Sequence, residues 1–398
     1  MIKIHEREEA AEKDWADRFG SLEERLRDYP QRSANRGAIA VHRVGLELGL
    51  RLLPALDPPE SSRAESLVAV DEALHLFVFE RATQQGREAS PQPSDTVATF
   101  LDQHQASLEL LVETVEREAP ILWARDNERL FGPPLNHNDS QRRLARLLLA
   151  QFFRQLDASD RPAAVATLEA LWRIHEGTRG NLGLRNWLIQ LENLQLLAGA
   201  LRQLPQPASI WRQRLDPRSL RAPILDTFRH YGWLWSQVDD VMRWDRNVNI
   251  ARRLMGAVAA PYVQLCEIDT VARYKGGLQS LIELDYRCDR DLVAAGLPRD
   301  WNVPWWNKMA DDVAVNVVDL AERWRRTEFD LEATLKILEW EANGMAFGES
   351  GSVVCPDGRW RLQSIGDGRE LSFSRELRWK EPQTHVTLPS RFRLDSVQ

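Results

Sequence analysis

The chain has 398 residues, 43% hydrophobic and 28% charged, the make-up of an ordinary globular protein rather than a disordered, collagen-like or membrane-embedded one. Its 59 acidic against 52 basic residues give a formal net charge of −7; the two signs are mixed along the chain, so no basic stripe follows a phosphate backbone and nucleic acid is not expected as a partner. Cys266, Cys288 and Cys355 are the only cysteines, too few for a disulfide framework and without the C-x-x-C spacing of a zinc or redox pair, which leaves at most one bridge.

Helical periodicity dominates up to about Gly344. Glu6 to Tyr29 carries a thin apolar seam of Trp15, Phe19, Leu22 and Leu26, spaced as one face of a partly exposed helix. Ser62 followed by Glu65 forms a capping box ahead of the apolar run Leu67 to Phe79. Gln84 to Asp95, rich in Gln, Gly, Ser and Pro, breaks the pattern as a first linker. Four amphipathic helices follow, Val97–Glu118, Ser140–Leu156, Pro162–Glu176 and Leu182–Leu204, with the lengths and short connections of an antiparallel bundle or helical-hairpin array. Pro205 to Arg218 is a second break, in which Asp216 and Pro217 supply an N-cap and a first-turn proline.

Further helices run from Ser219 to Glu283, interrupted around Trp244 to Asn249 and at Pro261, and a long helical pattern runs from Val303 to Asn343. The period then changes to two. Trp360, Leu362, Leu371, Phe373, Val386, Leu388, Phe392 and Leu394 alternate with polar residues, and Gly366-Asp-Gly368 sits between two of these runs as a hairpin turn. The expected fold is therefore mainly α, a multi-helix bundle or helical-hairpin array with a small C-terminal antiparallel sheet. The expected division is an N-terminal helical segment over 1–90, a helical array over 91–207, a helical region rich in Asp and Trp over 208–347, and a sheet over 348–398 packed on the preceding helix.

Chemistry concentrates between Phe228 and Asp245. Asp239, Asp240 and Asp245 form a DDxxxxD cluster beside Tyr231, Trp233, Trp235 and Trp244. Carboxylates hold Mg²⁺ together with substrate phosphates, and aromatic faces stabilise a nearby cation. Over this one motif the segment is similar to class I terpene synthases and prenyltransferases, which implies Mg²⁺-dependent chemistry on an isoprenoid diphosphate. Asp311, Asp312, Asn316 and Asp319 are the nearest second acidic group. The alternative for the aspartates is a solvated helix end paired with Arg243 and Arg246.

Fifteen tryptophans offer large amphipathic surfaces, and Trp301, Trp305 and Trp306 concentrate around the turn Pro298 to Pro304 as a surface for a protein partner or a hydrophobic small molecule. Trp172, Trp187, Trp324 and Trp340 sit in apolar helical patterns and read as core. The histidines are dispersed without zinc-binding spacing; His175, beside Glu176, and His230 are the candidates for a general base. Neither a G-x-S-x-G elbow, a Walker loop nor a dinucleotide glycine fingerprint occurs.

Three stretches carry a wider resemblance. They are Tyr29-Pro-Gln-Arg-Ser-Ala-Asn-Arg-Gly-Ala38 with Leu46 to Leu50; Trp305-Trp-Asn307 with Glu328, Asp330, Leu331, Thr334 and Leu338 on the helix Trp324 to Leu338; and Val354-Cys-Pro-Asp-Gly-Arg-Trp360. Together they resemble a group of uncharacterised bacterial envelope proteins that usually begin with one membrane-spanning helix. The resemblance implies architecture and location but no activity. This chain contains no membrane span, so the periplasmic side of the envelope is expected if an anchor precedes Met1, and the cytoplasm otherwise. The expected function is interaction or scaffolding at the envelope, with the isoprenoid diphosphate enzyme as the alternative.

Overall fold

A computed structural model describes residues 2–30, 32–53, 56, 63–87, 91–125, 138–205, 207–235, 250–283, 304–307, 317–343, 348–365, 368–375 and 391–394. The protein is mainly helical and ends in a four-stranded antiparallel sheet. No helix among the described residues is long and apolar enough to cross a membrane.

The first helical segment is two helices, α1 (Ile2–Phe19) and α2 (Leu22–Asp28). Gly20 separates them at φ +87°, a left-handed position that glycine takes without steric cost. Ser21 and Glu24 then form a reciprocal capping box, Ser21 Oγ accepting from the Glu24 amide and Glu24 Oε2 from the Ser21 amide. A third helix, α3 (Arg36–Glu47), was not separately expected; Asn35 is its N-cap, its side chain accepting from Ala38 N at 2.9 Å.

After α4 (Arg63–Thr83), the expected helix over 97–118 is two, α5 (Asp95–Gln103) and α6 (Gln105–Glu118), joined at His104. The His104 ring lies 4.4 Å from Phe100, and its backbone departs from helical values while still passing hydrogen bonds to both sides. Three long helices follow, α7 (Asn138–Asp157), α8 (Arg161–Thr178) and α9 (Leu184–Gln203). Asp160 caps α8 through the Ala163 amide, and Pro162 occupies its first turn. α7 packs on α8 and α9, and α9 packs on α4.

A short helix α10 (Ile210–Arg214) and a 3₁₀ turn (Pro217–Leu220), capped by Asp216, lead into α11 (Arg221–Trp235) and then α12 (Ile250–Glu283). The expected interruption at Pro261 does not end α12; packing against α1 and α11 holds the helix through it. The long pattern from Val303 is likewise shorter as a helix. Pro304–Asn307 is a turn, and the described helix α13 spans Val317–Ala342.

The sheet is formed by β1 (Gly348–Gly351), β2 (Arg359–Ile365), β3 (Gly368–Phe373) and β4 (Arg391–Leu394), each antiparallel to the next in chain order. Gly348–Gly351, which lacks the apolar alternation of the other runs, is nonetheless a strand, pairing from Gly348 with Leu362 to Gly351 with Arg359. Residues 366 and 367 of the expected hairpin, and Val386 and Leu388, lie outside the described residues.

α13 joins two hydrophobic clusters. Leu320, Ala321, Trp324, Leu331 and Leu338 enter the main core, which also takes in Trp15, Trp123, Trp172 and Trp211 and so crosses residues 90 and 207. Phe329, Ala333 and Ile337 enter a second cluster with Trp360, Leu362, Leu371, Phe373, Phe392 and Leu394 of the sheet. Buried on both sides, α13 also buries charge: Asp330 pairs with Arg202 of α9 at 2.7 Å with both side chains fully enclosed.

Two connections are built in detail. Arg32 to Asn35 lies along residues 120–125: Arg32 and Arg125 exchange backbone hydrogen bonds, Arg32 donates to the carbonyls of Trp123 and Gly177, and Asn35 holds Pro120 and Leu122. Residues 84–87 of the expected first linker are docked, Arg87 pairing with Glu341 at 2.7 Å and donating to the Arg202 carbonyl, while Gln85 O accepts from Arg393 N of β4.

Candidate functional site

The residues singled out from the sequence fall in different places. Asp239, Asp240, Asp245, Trp244 and Trp301 lie outside the described residues, as do the side chains of Tyr231 and Trp235, whose backbones belong to α11. Among the described residues no group of three or more His, Cys, Asp or Glu side chains is placed to hold a metal ion. Trp233 is half-buried and packs against the main core, with its ring stacked 6.5 Å from His230. His230 and His175 are both buried, on α11 and α8, and only His175 lines the cleft described below.

Trp305 and Trp306 sit on a displayed turn. Pro304 O accepts from Asn307 N at 2.8 Å and closes it. Asn307 is fully buried, and its Nδ2 donates to Cys266 O at 3.2 Å and Asp269 Oδ2 at 2.7 Å, both on α12. One turn earlier on α12, Tyr262 Oη donates to Trp306 O at 2.6 Å. With its base fixed in this way the turn holds Trp305 out at 85% exposure; Tyr262 and Leu265 on α12 are exposed too, three residues apart on one helix face. Burial pushes the Asp269 carboxyl up, but hydrogen bonds from Arg273 and Asn307 outweigh it and hold it below the usual carboxylate range. Asn307, Asp269 and Tyr262 build this display, and the sequence pattern does not single them out as site residues. Each is an ordinary polar residue whose partner comes from a separate element.

The second feature is a cleft between α8, α9, the 3₁₀ turn and the start of α11, touching Leu331 of α13. Its volume is about 40 Å³, room for a few water-sized groups. Arg214 in its wall is neutralised by Glu169, with contacts of 2.7 and 2.8 Å, and lies over the Trp211 and Trp172 rings. Gln190 donates to Thr178 O and Ser219 to Asp216 O. Trp172 and His175 stand 5.6 Å apart. Burial, with a smaller contribution from the Arg179 charge, pushes the His175 imidazole down to about 3, so it is neutral at physiological pH.

Compared with known protein families, characterised proteins and solved structures, the chain matches none.

Proposed function

We propose that the protein works by binding a partner protein through the face around Trp305, in the bacterial envelope. The observation that carries this reading is the 85% exposure of Trp305 on a turn anchored by a buried asparagine. A backbone already fixed beneath an exposed tryptophan loses little further entropy when a partner covers the ring, and tryptophans dominate binding energy at interfaces. Tyr262, whose Oη reaches Trp306 O, and Leu265 one turn along α12 are exposed as well. The location rests on the resemblance to envelope proteins and on Cys355, which is disulfide-bonded, the state favoured in oxidising compartments. The isoprenoid diphosphate alternative depends on Asp239, Asp240 and Asp245 and takes no support from the described residues.

The test is site-specific photocross-linking in the native host, with a photoreactive residue replacing Leu265, in chains with and without Trp305→Ala. A discrete adduct that disappears with Trp305→Ala, at unchanged melting temperature, is the expected result. Identical adducts from both chains, or none, overturn the reading.

A further inference from the structure

The cleft beside α8 holds polar groups that the fold leaves unanswered. Trp172 and His175 are 2% and 5% exposed, and the Trp172 Nε1 and His175 Nδ1 atoms are enclosed without a hydrogen-bond partner among the described residues. Both residues line the cleft. A buried donor without an acceptor is costly, and native proteins answer it with water or a ligand. Among the other polar side chains of the wall, Arg214 is engaged by Glu169, Gln190 by Thr178 and Ser219 by Asp216. Arg179, at the exposed end of the same wall, makes no ion pair with a described carboxylate. The rest of the lining includes Leu191, Leu194, Leu220 and Leu331.

These features select a ligand class. The indole N–H only donates and the guanidinium only donates, so the ligand presents acceptors. Arg179, without an ion pair among the described residues, calls for a single negative charge. The leucines require a hydrocarbon portion, and the volume limits it to a few carbons. We propose that this cleft binds a small monocarboxylate, its carboxyl group held by Arg179 and the Trp172 indole N–H and its short tail laid against Leu191, Leu194 and Leu331. The neutral imidazole of His175 presents one donor and one acceptor nitrogen and completes the polar end without adding charge. This site is separate from the Trp305 face and stands or falls independently of it.

The experiment is a titration of the intact protein with sodium propionate, followed by NMR of the indole N–H groups, with Trp172→Phe supplying the assignment and sodium chloride at matched ionic strength as the comparison. The expected result is a saturable movement of the Trp172 resonance with propionate and not with chloride. Arg179→Gln, at an exposed position that leaves the fold intact, is expected to weaken binding about tenfold, the size of one lost charge-assisted hydrogen bond. Octanoate, with the same headgroup and a tail too long for the cleft, is expected to bind about tenfold or more weakly than propionate. An unmoved Trp172 resonance, an equal response in Arg179→Gln, or octanoate binding tighter than propionate overturns the proposal; the first of these assigns the enclosed nitrogens to water.

Discussion

Arg202 and Asp330 show what a single pair of side chains commits the fold to. Arg202 donates to Asp330 Oδ1, to Thr334 Oγ1 and to the Ala82 carbonyl, so one guanidinium joins α4, α9 and α13. Burial pushes the Asp330 carboxyl up and the Arg202 charge opposes it, with burial prevailing. Removing one partner strands the other charge inside the protein. Arg202→Met is expected to destabilise by about 3–5 kcal/mol in denaturant unfolding, and adding Asp330→Leu to recover most of that. A double variant no more stable than Arg202→Met alone contradicts this account. The sequence brings Asp330 and Thr334 forward only within a resemblance; the pairing is not legible there, because Arg202 lies 128 residues away.

His175 gives a pH dependence with a definite sign. Its unfolded imidazole takes a proton near 6.5, whereas the buried one resists protonation down to about 3. Between those values the unfolded state binds more protons, so stability falls as pH falls, by up to about 1.4 kcal/mol per pH unit from this group. The stability of His175→Phe is expected to depend less steeply on pH over that window, as thermal melts across it will show. Gly177 is a different kind of constraint. A Cβ there would run into the Ile121 carbonyl oxygen, so Gly177→Ala is expected to lower the melting temperature by displacing residues 120–125.

At the scale of elements, α13 is the instructive case. The sequence pattern places a helix there, since the apolar spacing runs through Trp324, Leu331 and Leu338. It does not reveal that the helix is enclosed on both sides, because Glu322, Arg325, Arg326, Glu328 and Glu332 look like solvent residues and are buried. Glu332 accepts from Ser352 Oγ at 2.6 Å and from the amides of Val353 and Val354, and Arg325 donates to the Val354 carbonyl. Helix and sheet are clamped at that loop. Glu332→Ala is expected to cost about 3 kcal/mol and to expose the arginine-rich strands to trypsin before the helices are cut. Simultaneous cleavage of both regions counts against the clamp.

The helices over 138–204 follow the sequence closely, because each has a strong period and α8 has its own cap in Asp160 and Pro162. The misses have local causes. Gly20 turned one helix into two, and at Pro261 tertiary packing overrode a breaker. The Trp305 turn was legible as a cluster of tryptophans. What makes it a display, the buried Asn307 with Asp269 and Tyr262 beneath it, depends on a contact between segments 38 residues apart.

Across the whole molecule, the two hydrophobic clusters share one helix, so the helical body and the sheet are expected to unfold together. Cys355, disulfide-bonded in the loop that Glu332 holds, ties this assembly to its redox surroundings. A reductant is expected to lower the melting temperature, by the equivalent of about 2–4 kcal/mol. Cys355→Ser is expected to melt at that lower temperature with or without reductant. Equal melting of the native chain in both conditions argues against an oxidising compartment.

The docking of Gln84–Arg87 has one more consequence. β4 pairs with β3 on one side, and its other side would present unpaired backbone groups to water. Gly86 forms a parallel bridge to Arg393, and the Gln85 carbonyl takes the Arg393 amide. A segment that separates two helices in sequence thus serves as the cover of an open sheet edge, the kind of edge through which proteins recruit further copies of themselves into aggregates. Replacing residues 84–87 with a loose linker would therefore do more than loosen a connection. It would give the protein a surface that grows.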